Sequence, residues 1–519
     1  MKHGQGATKP TTQRGAKNAS APASFAERQA GTAQSPTFYF YDLETSGVNP
    51  RLNRIMQFAG QRTDMNLKPV GEADNILIKL TPDILPDPEA VLIHGITPQA
   101  TLADGLNEAE FLKYLTSQVF LPGTIMVGFN NIRFDDEFMR FLLWRNFYDA
   151  YEWHWKENRS RWDLLDVTRM TRALRPAGIN WPFGSDGQSS NRLELLSSVN
   201  KLDHVNAHDA MSDVLASMAV ARLLRNKQPK LFDYLLKMRD KRRVSALVNR
   251  GLPFIYTSGR YPSEYQKTTV AVTIGAHPDK PAAIVYDLRV DPSAYLSLSP
   301  ADLADLWQQR GKEAPYFPVK VLSYNRVPAV APLNVLDAAS ASRLKIDSAL
   351  IDKNFSSLKK AADFGDRLIR ALEISQPKSQ PEMVVDEQQV DTQLYDGFIN
   401  NADRTKMSVV RAADVNSLLN LQLDFADERL TKLLPLYKAR NYPSSLSSAE
   451  IEWWEKFRAN RLLGGGTSSL AARYFGRLEE IAKRPHITTQ QRYLLEELNL
   501  YGQSILPIEG TGQASYPGA

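Results

Sequence analysis

The chain has 519 residues, with 43% hydrophobic and 23% charged side chains. That is the balance of a water-soluble protein too long for one ordinary core, so roughly three domains are expected. No apolar run approaches the ~20 residues needed to cross a bilayer, so neither a membrane span nor a secretory signal is expected. Cysteine is absent, which removes disulfides, thiolate ligands and cysteine nucleophiles and suits a reducing compartment, so a cytoplasmic location is expected.

The net charge of +5 is concentrated at one end. Residues 1–35 carry Lys2, Lys9, Arg14, Lys17 and Arg28 against Glu27 alone, and the remainder is nearly neutral. A pI near 9 therefore says little about partners. The same segment is rich in Gly, Ala, Ser, Thr and Gln and cannot bury enough apolar surface to offset its ordering entropy. It reads as a disordered basic tail. A transit peptide is the weaker reading, because arginine is sparse and no amphipathic period is present. Local cation clusters fall at 237–243 and among Arg159, Arg161, Arg169, Arg172 and Arg175.

Three strand-like runs follow at 37–43, 54–62 and 75–80, separated by turn residues. Asn107 can cap a helix running to about 119, 124–129 reads as a buried strand, and 135–144 is strongly helical. Further helices are expected at 163–174, 192–199 and 209–225, the last with Val214, Leu215, Met218, Ala219, Ala221 and Leu223 as its apolar face. Strands followed by alternating helix and strand indicate an α/β domain. After Pro229, short β-rich runs such as 269–274 and 283–288 suggest a small antiparallel sheet or barrel with helical insertions. Residues 375–387, with Pro377 and Pro381 among Ser, Gln and Glu, read as a linker, and helical periodicity dominates beyond it.

The chemistry begins in Phe38-Tyr39-Phe40-Tyr41-Asp42-Leu43-Glu44-Thr45. Strand side chains alternate, so Asp42 and Glu44 share a face while Leu43 points into a core. Two adjacent carboxylates repel, and a divalent cation is the natural reason to place them there. Asp135 opens a helix directly after a buried strand; alone it would be read as a first-turn acid favoured by the helix dipole. In Asn206-Ala207-His208-Asp209-Ala210-Met211-Ser212-Asp213, Asp209 can cap a helix that holds Asp213 one turn in, with His208 just ahead. Alone, His208 would be read as a polar loop residue.

The order of strand Asp-x-Glu, helix-start Asp and His-x4-Asp resembles the DEDDh branch of the DnaQ-like 3′→5′ exonucleases. Longer phrases are similar to the bacterial exonuclease I family, among them 94–99, 128–137, 145–149, 160–167, 206–211, 229–234, 393–398 and 437–443. The tail and residues 184–191 depart from that pattern. The resemblance implies an α/β chain: a ribonuclease-H-like exonuclease domain at 36–227, an SH3-like domain with insertions at 228–383 and a helical domain at 386–519. It maps Asp42, Glu44, Asp135 and Asp213 onto the family's four metal-holding acids and His208 onto its general base. Two Mg²⁺ ions are implied, with Mn²⁺ as a substitute, Asp42 bridging them, Glu44 and Asp213 on one and Asp135 on the other.

By the same resemblance, Arg192, Arg140, Trp155 and Arg169, with Lys241 and Glu44, are substrate contacts. Trp153 and Trp162 compete with Trp155 for a stacking role, and core packing is an equal reading for Trp155. The implied activity is stepwise 3′→5′ hydrolysis of single-stranded DNA in repair and recombination, by a monomer that cooperates with a single-strand-binding protein. A ribonuclease-T-like or proofreading exonuclease is a second reading, disfavoured by the long downstream match. A catalytically silent single-strand-binding module is a third, disfavoured by the intact acids and histidine.

Overall fold

The structure is a computed structural model that describes residues 35–202, 209–309, 315–375 and 387–507. Residues 1–34 of the expected tail, most of the expected linker, and His208 lie outside the described residues. From Pro36 onward the chain is one contact unit.

Its first sheet has the order β3-β2-β1-β4-β5, built from β1 (Thr37–Thr45), β2 (Ile55–Thr63), β3 (Asp74–Leu77), β4 (Thr124–Gly128) and β5 (Ser160–Asp163). The first three strands form an antiparallel meander, and β4 and β5 run parallel to β1. Both faces of β1 are covered. Phe38 and Phe40 belong to a core shared with Val214 and Met218 of helix Ala210–Lys227. Tyr39, Tyr41 and Leu43 belong to the opposite core, with Phe138 and Leu142 of helix Asp135–Arg145. The period-two alternation thus decides which helix each β1 side chain meets.

Two expectations shift in detail. The helix capped by Asn107 ends at Tyr114 and continues as a π-helical turn, Leu115–Val119. Leu215, expected on the apolar face of its helix, is 47% exposed. That helix packs against β1 and β2 on one side and helix Leu193–Val199 on another. Its buried arc therefore runs through Val214, Met218 and Ala221 and also takes in Ala216 and Val220.

A second sheet, all antiparallel, has the order β10-β6-β7-β8-β9, with β6 (Phe254–Thr257), β7 (Thr268–Ala276), β8 (Ala282–Asp287), β9 (Val319–Ser323) and β10 (Ala329–Pro332). Its Ile255, Val270 and Ile284 share one continuous core with Phe38 and Trp162, bridged by Phe232 and Leu235. The C-terminal part is helical, including Asn401–Ala412, Glu428–Asn441, Ser448–Leu463, Leu470–Ala482 and Thr489–Ser504. It packs on the nuclease part through Phe141, Trp144 and Phe147, and through Val91.

Candidate active site

Asp42 and Glu44 continue the row of Phe38 and Phe40 where β1 runs out of apolar side chains. Both are half-buried between the buried Tyr41, Leu43 and Thr45. The pairing of β1 with β2 is irregular between Glu44 and Thr45, a bulge that re-aims the side chain beside it. Helix Ala210–Lys227 lies over the same face, and Asp213 sits in its first turn behind Asp209, whose side chain accepts from the Ser212 amide at 3.2 Å. One carboxylate oxygen from each of Asp42, Glu44 and Asp213 falls within 4.8 Å of the others. That is the donor set and spacing a hard divalent cation takes, so the residues fit a metal site.

Asp135 comes from the other core, at the start of the helix that carries Phe138 and Leu142. Glycine at 128 lets the turn after β4 fold back, because a Cβ there would meet the Asn131 side chain at 2.6 Å and the Tyr41 carbonyl at 3.3 Å. The helix that follows begins with two buried acids in different roles. Asp136 accepts from the Tyr41 hydroxyl at 2.5 Å and pairs with buried Arg161, whose other nitrogen donates to the Asn325 carbonyl at 2.9 Å. Asp135 lies outside the three-acid group, yet its charge acts on Asp42.

Electrostatics mark these acids as a site rather than a salt-bridged surface. Burial, then the charges of Asp135, Asp213 and Asp209, hold the Asp42 carboxyl well above the usual range. Burial, then Asp42, Asp213 and Asp209, pushes Glu44 up to about 9. Asp135 is raised by burial and then by Asp136. Asp163, at the end of β5, is pushed up to about 6 by burial and Asp166, against amide donation from Leu165 and Asn130. Clustered carboxylates that repel their own charge are what a bound cation relieves.

A cleft of about 490 Å³ joins Asp42 and Asp213 to Arg169 and Arg192, with Asn130 and Lys267 also on its wall. Arg169 pairs with Asp166 at 2.6 Å, and exposed Arg192 pairs with Glu194. Arg140 is on the helix that Asp135 opens, paired with Glu137 at 2.6 Å and 5.5 Å over the Tyr151 ring. Trp155 is 58% exposed, whereas Trp153 and Trp162 are 3% and 1% exposed and belong to cores. Together with Tyr151, Tyr395 and Phe398, Trp155 lines a second cleft of about 460 Å³. Lys241 is exposed at the start of helix Lys241–Val248. Thus Asp42, Asp213, Arg169 and Arg192 share one cleft, while Trp155 lies in another. Sequence reasoning gave Asp163 and Lys267 no role, because neither stands in a local pattern that marks it.

Three family profiles match in succession: Exonuclease over residues 39–221, Exonuclease I SH3-like domain over 239–373 and Exonuclease I C-terminal domain over 388–505. Exodeoxyribonuclease I of Haemophilus influenzae is 37% identical over 480 residues, 91% of this chain and 99% of that relative. Among solved structures, Escherichia coli exonuclease I in complex with a dA16 oligonucleotide superposes with a TM-score of 0.85 at 37% identity, over 91% of this chain and all of that one. An SSB/exonuclease I structure with an inhibitor gives a TM-score of 0.82 at 36% identity over the same shares. Since sequence and fold agree over nuclease, SH3-like and helical parts alike, the chain belongs to the exodeoxyribonuclease I family.

Proposed function

We propose that this protein removes nucleotides stepwise from the 3′ end of single-stranded DNA by metal-dependent hydrolysis, releasing nucleoside 5′-monophosphates in repair and recombination. The observation that carries this reading is the convergence of Asp42, Glu44 and Asp213 at a cleft walled by Arg169 and Arg192. Family membership supplies direction and sugar. The oligonucleotide and SSB complexes of its structural neighbours extend the reading to single-stranded DNA as substrate and a single-strand-binding protein as partner. It acts as a single chain in the cytoplasm. No helix among the described residues is long and apolar enough to cross a membrane.

Asp42, Glu44 and Asp213 would hold one divalent cation, and Asp42 with Asp135 a second. When bound, two Mg²⁺, or Mn²⁺ in their place, supply Lewis acidity toward the attacking water and the leaving 3′-oxygen. His208, five residues before Asp213 in the chain's His-x4-Asp order, takes the proton from that water, a task suited to an imidazole with a pKa near ~6.5. Arg192 and Arg169 hold phosphate oxygens at the cleft, with Arg140 and Lys241 further along the strand. Trp155 offers its exposed face to a base, a contact that any sequence can make.

The test is a substrate panel of single-stranded DNA, duplex DNA and RNA, each with Mg²⁺ and with EDTA. Mononucleotide release from single-stranded DNA only with Mg²⁺ is expected. Equal activity in EDTA, or activity confined to RNA, would refute the reading.

A further inference from the structure

Glu44 stands at the bulge where β1 leaves the sheet, and the loop that follows is closed on itself. Ser46 and Arg54 exchange bonds across it: the Ser46 amide donates to the Arg54 carbonyl at 2.8 Å, and the Arg54 amide donates to Ser46 Oγ at 2.9 Å. Asn53 Nδ2 donates to the Ser46 carbonyl at 3.2 Å. All of this lies within two residues of Glu44 on one side and next to β2 on the other.

The loop is fastened from the far end of the sequence. Arg54 Nη2 donates to Asp391 Oδ2 at 2.8 Å, and both side chains are buried. Arg51 Nη1 donates to the Thr392 carbonyl at 3.2 Å. Asp391 in turn is held by both nitrogens of Arg440 at 2.8 Å, and Arg440 also reaches Asp83 at 2.7 Å. A buried ion lattice of this kind contributes little net stability against an apolar replacement, but it fixes geometry. Here the geometry it fixes is that of the loop anchored beside a metal acid.

We propose that Asp391 is a positioning residue for Glu44, acting through Arg54 and the 46–54 loop, so that the C-terminal part of the chain sets the geometry of the metal site. This rests on the metal reading of Asp42, Glu44 and Asp213. Outer partners that orient a ligand change metal affinity about 10- to 100-fold when removed.

The experiment uses the full-length protein, Asp391→Asn, and Ser46→Ala, which cuts the same chain of contacts at its other end. Mn²⁺ affinity is read by electron paramagnetic resonance, and DNA affinity by fluorescence anisotropy in EDTA. Both variants are expected to bind Mn²⁺ about tenfold more weakly, with unchanged DNA affinity and with turnover recovered at high Mn²⁺. Parental Mn²⁺ affinity in either folded variant overturns the inference, as does weakened DNA binding with metal affinity intact. Should Asp391→Asn fail to fold, Ser46→Ala decides alone. If the unaltered protein binds no Mn²⁺, the metal reading itself falls, an outcome distinct from unaltered metal affinity in the variants.

Discussion

Asp42 and Glu44 are ordinary carboxylates made unusual by position. Each lies where burial and the neighbouring acids penalise its charge, so in the cation-free fold they keep protons that the unfolded chain releases. For Glu44 that window runs from the ordinary 4.5 to about 9. Within it the native state binds more protons than the unfolded state, so stability must fall as pH rises. In EDTA, melting temperature is expected to decline between about pH 6 and 9, and Mg²⁺ to restore more of it at the upper end. A flat profile would contradict the clustering of charge.

Glu44→Gln should flatten part of that slope, and it should weaken Mn²⁺ binding by at least about a hundredfold, beyond the usual loss for an outer partner. Calorimetric titration with Mn²⁺ checks this; parental affinity would remove Glu44 from the metal set. At this scale the sequence was informative where chemistry follows a local period, as in Asp42-x-Glu44 and in Asp213 one turn behind its cap. It was silent on Asp163, which ends β5 and acts on Asp135 through its charge, and on Lys267, which lies in the turn before β7 on the cleft wall, and on the choice among Trp153, Trp155 and Trp162, which depends on what packs above each ring.

Elements carry these residues to one another through tight turns. Gly128 ends β4 with no room for a side chain between Asn131 and the Tyr41 carbonyl. Gly128→Ala is expected to cost about 1–3 kcal/mol as an overpacked site, read as a lower urea midpoint, and to reduce turnover by displacing the helix start at Asp135. Unchanged stability and turnover would mean that the turn is slack. The strands and helices themselves were largely legible, because β1 is an unbroken aromatic run that ends in Asp42-Leu43-Glu44 and helix Ala210–Lys227 repeats its apolar positions. What escaped was how many neighbours each element meets: Leu215 fits an apolar stripe but faces outward. The run at 75–80 is a strand only as far as Leu77, after which Ile78 makes a single bridge to Leu106.

On the scale of the whole molecule, three sequence blocks share their cores. Phe232 and Leu235 join the two sheets, and Phe141, Trp144 and Phe147 sit among C-terminal leucines. Periodicity reveals an apolar face but not its cover, so this sharing was invisible beforehand. The cleft that Trp155 lines with Tyr395 and Phe398 is built from two such blocks. Trp155→Ala is expected to weaken single-stranded DNA binding by about 1–3 kcal/mol, the value of one base stack, without changing Mn²⁺ affinity; anisotropy in EDTA that matches the parent would exclude the stacking role. The most direct measurement follows single-stranded DNA labelled at either end during Mg²⁺ digestion. Labelled mononucleotide should appear at the earliest times from the 3′-labelled strand, while the 5′ label stays on shortening oligomers. Prompt mononucleotide release from the 5′ label would contradict a 3′→5′ exonuclease.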